Sequence, residues 1–203
     1  DNLMVYGVTG RDDDFALGRK NVWIHVDARP SREKWNPDEG RQVLALLRRI
    51  SRHIGASLDA ESAQPDQGHA NAARTRQKEI ATRLAQAVFI VSPFREVADR
   101  LHKYLGDSGM PISRDRLGTV HTTQGKEADI VILVLGTGAD EKRAREWASA
   151  TPNLLNVAVT RAKRRLVVVG DFDNWASLPN FSALASHARP GGLLERWPTP
   201  AEG

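Results

Sequence analysis

Apolar residues in this chain gather in short blocks, separated by longer stretches where they recur every third or fourth position. Three blocks are nearly continuous: "AVFIVSPF" (87–94), "DIVILVLG" (129–136) and "RLVVVGD" (165–171). Each ends in glycine, proline or a polar residue. Such runs predict strands covered on both faces, the habit of parallel sheets with helical crossovers. "NVWIHVDA" (21–28) is β-branched with partial alternation and predicts a fourth strand, while "LGTVHT" (117–122) and "NLMVYGV" (2–8) are weaker candidates. Between the blocks the period changes to that of a helix. Asn36-Pro37 forms a cap with proline at the first helical position, and Val43, Leu44, Leu47 and Ile50 then make one stripe through residues 37–54. Residues 94–105 place Val97, Leu101, Tyr104 and Leu105 on one face; 140–150 are charged, and 154–159 are short and apolar. Strand–helix alternation of this kind predicts an α/β domain with a mostly parallel sheet and helices on both faces.

Two segments fall outside that pattern. Residues 55–75 have almost no large apolar side chain and predict a flexible insertion, because they cannot bury enough surface to offset the entropy of ordering. Residues 186–203 read as a linker or tail, which leaves 1–185 as the domain. Composition adds little that changes this picture. With 203 residues, 40% hydrophobic and 27% charged, the chain suits a soluble globular fold, and no apolar run reaches the roughly 20 residues of a membrane span. Cysteine is absent, which excludes disulfides and thiolate metal sites and makes a reducing cytoplasm the expected compartment. The six histidines show no metal-ligand spacing, so no metal site is expected. The chain shows no charged-then-apolar pattern at its start, so no secretory signal is expected, and an opening on Asp1 rather than Met reads as a piece of a longer polypeptide. A net charge of +4 tilts the chain mildly toward an anionic partner.

Candidate chemistry begins with a negative result. Gly125-Lys126 is the only Gly-Lys pair, but Glu127 stands where a phosphate-binding loop needs Ser or Thr, and a strand follows where a helix should start. "GTGAD" (136–140) lacks the third glycine of a dinucleotide fingerprint. The stretch "TVHTTQGKEADIVIL" (119–133) is still well supplied for a nucleotide edge: Gln124 offers an amide, Gly125 lets backbone approach a phosphate, and Glu127 accepts from ribose hydroxyls. Thr119, His121 and Thr122 can donate to a phosphodiester chain. A second stretch, "NVAVTRAKRRLVVVGD" (156–171), crowds Arg161, Lys163, Arg164 and Arg165 into the mouth of a strand. Each has an ordinary reading by itself, a polar turn in one case and cations favouring a helix C-terminus in the other. Together they place an acceptor-rich loop and an arginine before two strands that can share one sheet edge, and ligands of open α/β sheets collect at strand ends.

"TVHTTQGKEADIVIL" resembles motif V of superfamily 1 helicases, "NLLNVAVTRAKRRLVVVGD" (153–171) resembles their motif VI, and "VFIVSPFREVADRL" (88–101) is similar to their motif IV. The order agrees, and "VWIHVDA" followed by an Asn-x-x-Glu helix start is similar to the region before motif IV. The resemblance covers most of residues 1–180 and is closest to the branch that includes the nonsense-decay and DNA-replication helicases, which move 5′ to 3′. It implies a RecA-like three-layer domain, the second of two lobes with ATP in the cleft between them. It implies that ATP and Mg²⁺ are bound chiefly by a first lobe, whose motifs are missing here, so that this piece alone is monomeric and hydrolyses nothing. Arg161 stands at the position of an arginine finger, a group worth about 10³–10⁵ in rate in other nucleotide hydrolases. Gln124, Gly125 and Glu127 would face ATP, and Ser92, Thr119 and His121 would contact single-stranded DNA or RNA. Val97 lies where motif IV often has glutamine, and the 55–75 segment is not part of the family pattern. A degenerate lobe kept as a non-catalytic nucleic-acid- or protein-binding module is the alternative.

Overall fold

A computed structural model describes residues 21–61, 69–120, 127–150, 153–186 and 194–197. Six strands, β1 (Asn21–His25), β2 (Val88–Ser92), β3 (Leu117–Thr119), β4 (Ala128–Val134), β5 (Ala162–Gly170) and β6 (Leu194–Trp197), form one sheet in the order β3-β2-β4-β5-β1-β6. Every neighbouring pair is parallel. The near-continuous apolar runs are the central strands. All five residues of β2 are buried, and so are six of the seven in β4 and the last six of the nine in β5.

Seven helices connect them: α1 (Pro37–Glu61), α2 (His69–Ala87), α3 (Arg95–Asp107), α4 (Lys142–Ser149), α5 (Asn153–Arg161), α6 (Phe172–Trp175) and α7 (Phe181–Ser186). Parallel connections are right-handed, so their direction across the sheet decides which face each helix covers. The β1→β2 and β2→β3 connections run one way and carry α1, α2 and α3; α1 contacts both α2 and α3. The β4→β5 and β5→β6 connections run the other way and carry α4 to α7 on the opposite face. This is the expected RecA-like three-layer arrangement. The two directions diverge between β2 and β4, which makes the carboxyl end of that strand pair a topological switch point.

The predicted stripes are the core-facing ones. Val43, Leu47 and Ile50 of α1 and Val97, Leu101 and Leu105 of α3 are fully buried, each contributing about 1.5–3 kcal/mol by leaving water. Beneath α6 and α7, Trp23, Trp175, Phe172 and Phe181 interlock edge to face, with Trp23 and Phe172 centroids 4.9 Å apart.

Two expectations change. Residues 55–61 and 69–75, taken as flexible insertion, are helical: α1 continues to Glu61 and α2 starts at His69. Ala, Arg, Gln, Lys and Glu dominate α2 and favour helix without an apolar stripe. Exposed ion pairs to α1 add to the burial of Leu84 and Ala87 and the packing of Ile80 on the core. Arg76 Nη2 lies 2.6 Å from Asp59 Oδ2, and Arg83 lies 3.1 Å from Glu61 Oε2 and 2.9 Å from Glu79 Oε1. Among the residues of that helix whose side chains are described, Leu84 and Ala87 are buried. The 186–203 tail is not merely a linker, because Leu194–Trp197 adds β6 beside β1. The apolar segment at 2–8 lies outside the described residues.

Candidate functional site

The sequence-predicted residues separate to opposite edges of the sheet. Ala128 and Ala162 are paired across β4 and β5, so Glu127 and Arg161, each one residue earlier, both precede a strand at the same edge of the sheet. That is the amino edge, not the carboxyl edge where open sheets usually bind ligands. The spacing of the motifs allowed one shared edge, and the register identifies which.

Arg161 is the last residue of α5 and half-buried. Its Nε is fully buried with no hydrogen-bond partner among the described residues. A buried N–H left without an acceptor costs about 1–3 kcal/mol. Glu127 is exposed, with Oε2 3.3 Å from Lys163 Nζ. Both line a cavity of about 580 Å³ together with His53, Arg83, Gln86 and Asp129. The C-terminal halves of α1 and α2 therefore wall the Glu127–Lys163 pair, and Arg161 is not among the residues that line this cavity. Gln124, Gly125 and His121 lie outside the described residues.

At the carboxyl edge, four loops meet over the switch point. The loop after β4 is stitched to the loop after β1 by Thr137 N donating to Lys34 O (2.6 Å), Gly138 N to Glu33 O (2.8 Å) and Ala139 N to Arg29 O (2.9 Å). Gly136 takes φ +66°, and a Cβ there would lie 2.6 Å from Val97 Cγ2 and 2.7 Å from Lys34 O, so only glycine fits. Thr137 follows at φ +75°, a strained conformation for a β-branched residue, held by that same stitching. Arg145 of α4 is buried and clamps the loop, donating through Nη1 to Gly138 O (2.7 Å) and through Nη2 to Ala139 O (3.0 Å). Burial holds its pKa below the usual arginine range, against the pull of Asp171 and nearby glutamates.

Glu39, in the first turn of α1, ties the helix to this loop: its Oε2 accepts from Gly136 N at 2.8 Å. Complete burial pushes its pKa from 4.5 to about 8, against the Gly136 hydrogen bond and with help from the negative Asp171. Asp171 caps α6, accepting from Asn174 N (3.0 Å) and Ala28 N (2.8 Å). Burial alone would raise its pKa, but these N–H donors and His25 outweigh it and hold it below the usual range. His25, Asp171 and Asp173 bring ligand atoms within 4.8 Å of one another. His25 Nδ1 already accepts from Phe172 N at 3.0 Å, and both Asp171 carboxylate oxygens accept from Asn174.

Thr119 ends β3 and lines a cavity of about 470 Å³ shared with Lys34, Phe94, Arg95, Glu96 and Trp147. Ser92 is buried, and its Oγ accepts from Phe94 N at 3.3 Å. It supports the turn that presents Phe94 instead of reaching the surface. Sequence reasoning missed Trp147, Phe94 and Lys34 at this edge. The available signal was a tryptophan in the otherwise polar helix "KRAREWAS".

A family model described as an AAA domain matches residues 20–173, most of the chain. The chain belongs to the AAA domain family. Within this AAA domain the match includes both sheet edges described above. The chain is also similar to the DNA polymerase alpha-associated DNA helicase A of Schizosaccharomyces pombe (strain 972 / ATCC 24843), 30% identical over 95 residues. That alignment covers 46% of this chain and 14% of the relative, so the AAA domain spans a small part of that protein's length. Among the described residues, no helix is long and apolar enough to cross a membrane.

Proposed function

We propose that this AAA domain is the second RecA-like lobe of an ATP-dependent superfamily 1 helicase, cytoplasmic and acting on single-stranded DNA or RNA. The observation that supports the reading is the register of β4 and β5, which brings the residues before both strands, Glu127 and Arg161, to one sheet edge, with the Arg161 Nε buried and unpaired among the described residues. Bound ATP with Mg²⁺ would supply the phosphoryl bond whose hydrolysis drives movement. The donor set here fits one side of such a nucleotide: an arginine whose buried Nε has no acceptor among the described residues, and an exposed carboxylate able to accept from ribose hydroxyls. Among the described residues, no carboxylate cluster at this edge suits Mg²⁺. The phosphate loop and metal carboxylates belong to the N-terminal RecA-like lobe of the same polypeptide.

In this reading Arg161 contributes charge where it develops on the transferring phosphoryl group, and Lys163 holds Glu127 in place. The strand crosses the opposite edge, along Thr119 and the switch-point cavity. Gln124 and Gly125 would complete the nucleotide side and His121 the strand side. The similarity to a DNA helicase supports this assignment.

Steady-state ATP hydrolysis by the full-length protein, with and without single-stranded oligonucleotide, tests it. Turnover that rises severalfold or more with strand is expected. Strand binding without hydrolysis would favour the non-catalytic module, and neither activity would overturn the proposal.

A further inference from the structure

We propose that the carboxyl-edge cavity is a base-stacking site in which Trp147 takes one face of an unpaired nucleobase, with Lys34 and Arg95 beside it for the flanking phosphates. The proposal rests on the nucleic-acid reading above and adds to it a specific contact class, stacking on a base in addition to hydrogen bonds to the strand backbone.

Trp147 is the only exposed large hydrophobic side chain among the described residues, 64% accessible. Exposing an indole forgoes about 1.5–3 kcal/mol of burial, which a neutral surface position would not require. Its surroundings are held in place by identifiable contacts. On the same short helix, Arg145 is locked to the Gly138 and Ala139 carbonyls, so the backbone that carries Trp147 is fixed to the strand ends. The Phe94 ring lies 6.1 Å away, tilted 34°, and forms the floor of a shallow aromatic corner. Phe94 is itself set by the Ser92 hydroxyl.

Charge complements the corner. Lys34 Nζ sits 6.0 Å from the Phe94 centroid, and the Arg95 side chain is 90% exposed. Carboxylates are present too: Glu96 lines the cavity, Glu141 lies 3.8 Å from Lys34 Nζ, and Asp99 lies 3.6 Å from Arg95 Nε. These acids share Lys34 and Arg95 with any incoming phosphate and leave the indole face to an uncharged base. Phosphates one step away meet the two cations. Location agrees independently, because the cavity opens at the topological switch point, where open parallel sheets bind ligands. Thr119 lies in the same cavity and provides a hydroxyl for the backbone. Cationic grooves with aromatic platforms are the common means of holding single strands without sequence preference.

The test measures affinity of the full-length protein for a labelled oligothymidylate and for an abasic strand of equal length, by fluorescence anisotropy. Trp147→Ala, at an exposed position, should weaken oligothymidylate binding by about 5- to 100-fold. The abasic strand should bind wild type and Trp147→Ala alike, and Trp147→Phe should keep most of the affinity for bases. Lys34→Ala should weaken both strands and flatten the salt dependence. Undiminished oligothymidylate affinity in Trp147→Ala overturns the stacking site while leaving the nucleic-acid reading intact. Equal losses on both strands overturn it as well, since they assign Trp147 to the backbone or to folding. Wild type that binds neither strand overturns the underlying reading and this proposal with it.

Discussion

Replacing Glu39 by glutamine should change how stability depends on pH. Glu39 is buried at the start of α1, where the helix N-terminus favours negative charge, yet burial dominates and raises its pKa from 4.5 to about 8. The folded state therefore keeps a proton that the unfolded chain gives up above about pH 4.5. Between those values the folded state binds more protons, so this group's contribution is fully present below pH 4.5 and declines as pH rises toward 8. One proton corresponds to about 1.4 kcal/mol per pH unit. Glutamine mimics the neutral acid and can still accept from Gly136 N, so it removes the slope without removing the tie to the loop. Urea unfolding of wild type and Glu39→Gln at pH 5.5 and 7.5 measures this. The stability of the variant relative to wild type should increase by about 2–3 kcal/mol over that interval. Parallel profiles would mean that Glu39 is ionised in the fold, and the argument for a buried neutral carboxyl at the loop would fail.

Asp171→Ala should cost about 1–3 kcal/mol at pH 7, since it strands the Ala28 and Asn174 amides. Because the Asp171 pKa is lowered, that contribution is present above about pH 4 and lost as pH falls further, so the two proteins should converge in acid urea titrations. Gly138→Ala should destabilise by more than about 2 kcal/mol in thermal melts, because a Cβ would collide with the Ser31 carbonyl across the stitched loops; an unchanged melting temperature would show those loops to be separable. Glu127→Gln should cost less than about 1 kcal/mol in stability because its pair with Lys163 is exposed, so a large loss of ATP affinity in that variant would report on nucleotide contact.

The sheet was legible because buried parallel strands must be apolar on both faces, and 88–91, 130–134 and 166–169 meet that demand without interruption. The Val43–Ile50 stripe likewise declared its buried face. Helix α2 was hard to read, since only Ile80, Leu84 and Ala87 carry its packing on the core, and the pairs that Arg76 and Arg83 make with carboxylates of α1 leave no periodic trace. β6 escaped for a similar reason: four residues gain a place in the sheet through backbone pairing with β1. At the site, adjacent motifs placed Arg161 and Glu127 together, but the edge they share follows only from the strand register. Ser92 is singled out by its place at the strand-to-helix turn that resembles motif IV, and its burial and its bond to Phe94 N were not legible there. Trp147 reads as one more residue of a charged helix until the switch point places it beside Phe94 and Thr119.

The central claim is that Arg161 acts on the nucleotide and does not merely end a helix. Strand-stimulated ATP turnover of the full-length protein should be compared for wild type, Arg161→Ala and Arg161→Lys, with thermal melts of the same samples. The account predicts a kcat lower by about 100-fold or more in Arg161→Ala, with ATP affinity and melting temperature little changed. Lysine should restore little, because an ammonium cannot reproduce the planar two-pronged contact. Turnover per folded molecule near that of wild type in Arg161→Ala would contradict the account and leave Arg161 a helix-end cation worth about 0.3–1 kcal/mol.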